Sequence, residues 1–516
     1  MTTVSFPRVT TTISGAVVSV AQQPQKILVV SQKIAGGTAV AGALNENIQT
    51  NADTLAGIKS IGAEVVRAVR AVNQDTQVDA IFLDDGSGTS ASGAVDFTGS
   101  VATEDGEITV ILGSERNHKL SVAVTSGDAA TAIGDTLVAA IAADTTILVS
   151  GVNTLGDVAL TFANDGTVGN DFPIEVRGEV AGVTIALTAM SGGATDPTLT
   201  GVFDVIDGAR YQTILWSWAE ATTELTSFVD GRFNVTDDIL DGLGYVGKSD
   251  TLVNHLSALG ALNSFINYTT VKVEATTALV GPASVEMPLI QSAYAGSLRA
   301  LKLTDGAAIA SFNVGDSGLD GIGGAALASR PLANTPIFEM VPMRQGRGWT
   351  RLEISQLNAV GGSVIGNNRA GNQIVLGEQL TTRNTSGGSP DDSFKFVNYF
   401  DTSVNIREFY SNNLRSRYGQ SRLTDGSPVA GRPMANKRNI EAALIEFYDT
   451  LSGSDFALTR SGEDNRNFFI ANLVVLLDLQ TGTVTWSAKS PIVTQVREIN
   501  GSIQIVFATS EGSFTV

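Results

Sequence analysis

The chain has 516 residues, with 52 acidic against 33 basic side chains for a net charge of −19, 43% hydrophobic residues, 54 glycines and no cysteine. The hydrophobic share excludes general disorder, glycines without a three-residue period exclude collagen, and the missing thiols exclude disulfides, thiolate metal sites and cysteine nucleophiles. The length predicts about two to four domains, and the acidic balance repels nucleic acid and anionic membranes wherever basic residues are not concentrated.

The start of the chain, MTTVSFPRVTTT, lacks the basic head and apolar stretch of a signal peptide. Val4–Val20 is rich in β-branched residues without a helical face, and Pro7 argues against a central strand. Lys26–Val30 reads as a buried strand. Leu55, Ile58, Ile61, Val65, Val69 and Val72 recur at three and four residues and predict a helix over 55–72, and Val78–Leu83 returns as a strand. Strand, helix, strand opens an α/β layer.

The texture then changes to Gly, Ser, Ala and Thr. Ile108–Leu112 and Leu120–Val124 predict paired strands, Ala129–Ala143 a small-residue helix, and Val158–Phe162, Ile174–Val176 and Val183–Leu187 further strands. Residues 90–195 read as an inserted, mostly β module between the flexible stretches GSGTSASG and SGGATDP. Beyond it, Tyr211–Trp218 predicts a strand, Val253–Phe265 a helix and Thr270–Val273 a strand. Ile440, Ala443, Leu444, Phe447, Tyr448 and Leu451 form one helical face. Phe468–Leu477 and Val484–Val496 predict β segments, and the former is too short to span a bilayer. At the end, Ile503, Ile505 and Phe507 alternate with Ser502, Gln504 and Val506. Terminal β-formers of this kind pair within the chain's own sheets or add to the edge of a neighbour's sheet.

Catalytic chemistry finds little support. His118 and His255 are the two imidazoles, without an HExxH pattern or a sequence-near partner, and each reads as a structural or surface residue. Asp84-Asp85-Gly86-Ser87-Gly88-Thr89 follows a strand and imitates a cation or phosphate loop. It has no adjacent lysine and continues into the flexible stretch, so it reads as a module entry. Asp449, Asp455, Glu463 and Asp464 read as a solvated loop rim. No nucleophile–base or acid–base pair can be assigned, and no cofactor or metal is expected.

Charge is more informative. Residues 330–438 hold 14 Lys/Arg and 8 Asp/Glu, net +6, which leaves 19 basic and 44 acidic residues elsewhere. The basic part is densest at Arg407, Arg415, Arg417, Arg422, Arg432, Lys437 and Arg438. Aromatic interleaving is sparse and no nucleic-acid motif accompanies it, so a basic face meeting an acidic protein surface fits better than direct nucleic-acid binding, and ordinary surface charge is the alternative.

An ordered set of stretches then carries a resemblance: GTVGNDFPIEVRG (166–178), FDVIDGARYQTILWSWAE (203–220), LVNHLSALGALNS (252–264), LNAVGGSVI (357–365), IVLGEQLTTRN (374–384), DDSFKFVNYFDTSVNIREFYSNNLRSRYGQSRLTDG (391–426) and NKRNIEAALIEFYDTL (436–451). The chain resembles contractile phage tail sheath proteins, the branch with an inserted β-rich domain. The set spans 166–451, and 277–350 contributes no matching stretch.

That resemblance implies an α/β (α+β) multidomain chain: a central α/β body, an inserted mostly-β domain and extended terminal β-arms. The expected division is an N-terminal arm (1–25), a first part of the body (26–89), the outer insertion (90–195), a middle α/β domain (196–355), a tube-proximal domain (356–501) and a C-terminal β-arm (502–516). It further implies a structural virion subunit, assembled in the host cytoplasm. Such a subunit polymerises with its own copies around a tail tube, meets baseplate and tail-terminator proteins, and contracts to drive the tube through the host envelope without membrane insertion. In that setting Arg415, Arg417 and Arg422 lead the candidates for tube or subunit contacts, and Ile503, Ile505 and Phe507 belong to an arm completing a neighbour's sheet. A β-rich surface-layer or adhesion protein is the alternative.

Overall fold

The computed structural model describes residues 25–492 apart from 207, 234–238, 277, 305–331, 345, 386–387, 389–390, 392, 430–431 and 454–458. The expected arms, with Val4–Val20 and Ile503, Ile505 and Phe507, lie outside the described residues.

Ile27–Val30 are fully buried because strand β1 (Lys26–Lys33) lies inside a parallel sheet, where both faces are covered. After the short β2 (Leu44–Asn45) come helix α1 (Ala52–Ala56), helix α2 (Ile61–Val72) and β3 (Gln77–Asp84). The single helix expected over 55–72 is thus two. Gly57, at φ +88°, ends the first, and Ser60 caps the second by accepting from the amide of Ala63. The chain then enters β4 (Ser90–Asp96), β5 (Gly106–Leu112), β6 (Lys119–Val124), helix α3 (Ala130–Ala143), β7 (Val149–Thr154), β8 (Asp157–Asp165), β9 (Ile174–Arg177) and β10 (Ala186–Ser191).

It returns to the body as β11 (Thr213–Trp216), α4 (Thr223–Arg232), β12 (Leu243–Asp250), α5 (Leu252–Ala261), β13 (Ile266–Ala275), β14 (Leu279–Pro282), α6 (Pro288–Thr304), α7 (Arg351–Ala359), β15 (Gly362–Asn367) and β16 (Ile374–Leu376). The parallel strands run in the order β3-β1-β11-β12-β13-β15, with β2 and β16 antiparallel at the two ends. With the right-handed crossovers usual for parallel strands, this order places α2 on one face and α4, α5 and α7 on the other. Helix α6 packs beside α2 across β11 and β12. Gly296 makes that approach possible, since a Cβ there would sit 2.8 Å from Leu215 Cδ2.

The fold is therefore a mixed α/β body carrying an inserted β-rich region. The insertion is joined through the sheet itself: the end of β13 pairs with β14, β14 with β9, β9 with β5 and β5 with β6, all antiparallel. A second antiparallel sheet runs β10-β4-β8-β7, with α3 against β6, β7 and β8. Buried residues of the insertion, such as Phe97, Leu137 and Phe162, belong to the same hydrophobic cluster as the body.

The C-terminal part begins with the 22-residue helix α8 (Val397–Tyr418), about 33 Å long. The short pair β17 (Arg422–Leu423) and β18 (Met434–Ala435) follows, then α9 (Lys437–Leu451), α10 (Glu463–Ala471) and the hairpin β19 (Val474–Asp478) and β20 (Thr483–Ser487). The β segment expected over Phe468–Leu477 is corrected here. Phe468–Ile470 belong to α10, whose first turn carries Glu463 and Asp464, and the strand starts only after Asn472 ends that helix. Helix α9 presents the expected face, with Ile440, Ala443, Leu444, Phe447, Tyr448 and Leu451 all buried.

Candidate functional site

The loop that imitates an active site is a structural joint. Asp84 pairs with Lys33 at 2.6 Å. Asp85 Oδ1 accepts from Asn164 Nδ2 at 2.6 Å and from Gln32 Nε2 at 3.3 Å. Asn164, fully buried on β8, also donates to the Lys33 carbonyl and accepts from the amide of Ile61 at 2.8 Å, capping the start of α2. Loss of hydration pushes the Asp85 carboxyl up to about 6; the Asn164 hydrogen bond opposes this, and the Asp165 and Asp84 charges add to it. A second tie runs through buried Glu175, which meets Arg177 at 2.9 Å, Arg347 at 3.3 Å and Arg344 at 3.4 Å.

Both histidines are held structurally. His118 Nδ1 donates to Asp144 Oδ2 at 2.7 Å, and His255 Nε2 donates to the Val271 carbonyl at 3.1 Å. Burial lowers the His255 pKa, favouring the neutral ring. Asp449 pairs with Arg466 at 2.7 Å, while Asp455 lies outside the described residues. Among the described residues no group of three or more His, Cys, Asp or Glu is arranged to hold a metal ion.

The C-terminal unit carries the feature suited to association. Helix α8 is shared between two hydrophobic cores: Val397, Phe400 and Val404 belong to the main one, and Ile406, Phe409 and Tyr410 to a second core built with α9, α10 and β19. Each large apolar side chain fully buried there contributes about 1.5–3 kcal/mol relative to exposure. Three ion pairs bind the helix to the body at the starts of β11 and β12: Arg299–Asp401 at 2.6 Å, Arg210–Glu408 at 3.0 Å and Arg407–Asp241 at 2.5 Å. None of these pairings is legible in the sequence. The only signal is a charge, such as Arg299, amid the apolar run of a helix buried on every side.

Arg407 therefore turns inward, onto a buried carboxylate. The other six basic candidates, Arg415, Arg417, Arg422, Arg432, Lys437 and Arg438, are exposed. They gather because Tyr418 Oη donates to the Asn439 carbonyl at 2.8 Å, and because Arg422 pairs in register with Met434. Arg417 meets Glu446 at 2.6 Å with both side chains about half exposed, a contact of little energetic weight. Arg415 and Arg417 lie in the last turn of α8, where positive charge suits the helix dipole.

The hairpin β19–β20 alternates across its two faces. Val475 and Leu477 oppose Trp486 and Val484 on the inner side, with Val475 fully buried and the Tyr410 and Trp486 rings 5.1 Å apart. On the outer side Val474 is 47% and Leu476 60% exposed. Among the described residues neither outer edge of this two-stranded sheet is paired. The chain leaves the hairpin beside Thr459, which bridges Ile492.

No family model matches the chain, and no curated protein matches it. Among solved structures it is similar to the helical sheath of the anti-feeding prophage in its contracted state, with 10% identity, 97% of this chain and 99% of the other covered, and a TM-score of 0.45. It is also similar to a sheath tail protein from Listeria innocua (11% identity, 92% and 96% covered, TM-score 0.42). A third is a sheath tail protein from Desulfitobacterium hafniense (12% identity, 93% and 100% covered, TM-score 0.40).

Proposed function

We propose that the chain is the structural subunit of a contractile phage tail sheath, polymerising around a tail tube and shortening to drive that tube through a host envelope. The observation that carries the reading is the hairpin β19–β20, set on a separately packed core with both of its outer edges open among the described residues. An open β edge is satisfied by a strand from another chain, and each added strand brings backbone hydrogen bonds that survive rotation of the bodies they link. The β-forming terminal segments, with Ile503, Ile505 and Phe507 in the last, are the strands suited to that edge. The ordered stretches over 166–451 support the same reading.

In this proposal residues 356–501 lie nearest the tube and 90–195 face outward. The exposed basic cluster at the end of α8 meets the tube or a neighbouring subunit, and Arg407 serves the subunit internally. Copies of the chain are the first partner, followed by the tube, baseplate and terminator proteins. Electron microscopy of the expressed full chain tests the proposal. Hollow helical sleeves are expected, and deletion of 503–516 should leave a folded subunit that forms none. Monomers alone under all salt and concentration conditions, or flat sheets in place of sleeves, would overturn it.

A further inference from the structure

Strand β1 and the C-terminal unit are joined through one buried side chain and Gln212. Arg299, on α6 and 2% exposed, divides its donors between two directions. Nε and Nη2 reach Asp401 of α8 at 3.0 and 2.6 Å. Nη1 reaches the carbonyl of Gln212 at 2.6 Å and Thr213 Oγ1 at 3.0 Å, where β11 begins. Gln212 in turn accepts at Oε1 from the amide of Lys26, the first residue of β1, at 2.8 Å. Asp401, Arg299, Gln212 and Lys26 thus form a continuous polar line along the N-terminal edge of the parallel sheet. One end is the helix that carries the second core, and the other is the strand following directly on residues 1–24.

A buried ion pair seldom adds stability over well-packed apolar side chains, so its contribution is in fixing geometry. Arginine suits that role because its planar fork holds several donors in set directions, which lysine cannot reproduce. We propose that Arg299 is a positioning residue that couples the orientation of α8, and with it the C-terminal unit, to the root of β1. A displacement pulled through the N-terminal segment is then felt by the unit bearing the open hairpin. The purpose of this coupling rests on the sheath reading, whereas the coupling itself is a property of the isolated subunit.

Amide hydrogen exchange on the full-length subunit tests it, comparing the parent with R299K and with R299M/D401L. In R299K a charge still opposes Asp401 but the fork to Gln212 and Thr213 is lost. Amides at Lys26–Leu28 should exchange about tenfold faster while those of Phe400–Asn405 keep their protection. In R299M/D401L, where apolar groups replace the pair, both segments should loosen and strand Asp157–Asp165 should stay unchanged. Unchanged exchange at Lys26–Leu28 in R299K, or equal loosening of Asp157–Asp165 in either variant, overturns the coupling. Particle images form a separate arm: R299K sleeves that assemble but shorten incompletely agree with the proposal, and R299K sleeves that shorten fully overturn its mechanical role. A parent chain that forms no sleeves sinks the sheath reading and leaves the exchange result standing.

Discussion

The amide of Ile61 donates to the side-chain oxygen of Asn164 at 2.8 Å, across 103 positions of sequence. One inserted strand thereby caps a helix of the body, at the edge of the sheet opposite the one that grips α8. Replacing Asn164 by Ala leaves the Ile61 amide, the Lys33 carbonyl and Asp85 short of a buried partner. A loss of about 1–3 kcal/mol is expected in denaturant unfolding. A change below about 0.5 kcal/mol would show that the joint is held elsewhere, through Glu175 and the β14–β9 pairing.

Asp85 makes the same joint sensitive to pH. Its folded pKa of about 6 lies above the ordinary 3.8, so the folded state binds the proton more tightly. The linked stability is fully present below about pH 3.8, is lost as pH rises through about 6, and is flat above. Because the carboxyl is partly solvated, the effect after screening is about 1–2 kcal/mol. Asp85→Asn should therefore be more stable than the parent at pH 7.5, with the difference shrinking toward pH 4. Parallel stability–pH curves for the two proteins would refute this assignment.

The two faces of the hairpin should respond oppositely to substitution. Val475→Ala empties space in the second core and is expected to cost about 2 kcal/mol of subunit stability. Leu476→Glu charges an exposed position, so subunit unfolding should shift by less than about 0.5 kcal/mol while sleeve formation is lost. Normal sleeves from Leu476→Glu would remove the outer face from the interface.

The exposed basic cluster gives a charge test. Changing Arg415, Arg417 and Arg422 together to Gln should leave the subunit folded, since all three side chains are exposed and the Arg417–Glu446 pair lies in solvent. Sedimentation over a salt series should show weaker assembly for the triple variant and a flatter salt dependence, because exposed charges are screened beyond about 8 Å at physiological ionic strength. Identical assembly of parent and variant at every salt concentration would place these arginines outside the contacts.

What the sequence determined by itself was local and periodic. The strand read at Lys26–Val30, the later part (61–72) of the helical face read over 55–72, the face over 440–451 and the alternating strands of the insertion are legible because burial of one face imposes its own repeat. The sequence also located the basic cluster, since charge density needs no fold to be counted. Tertiary structure decided which charges face inward. Arg407 and Arg415 are alike in composition and lie two helical turns apart, yet one is spent on buried Asp241 while the other is exposed. It also decided that α8 serves two cores and that Arg299 joins β11 to that helix. Partners 86 and 102 positions apart leave no periodic trace, because their pairing depends on strand order and helix packing rather than on neighbouring residues.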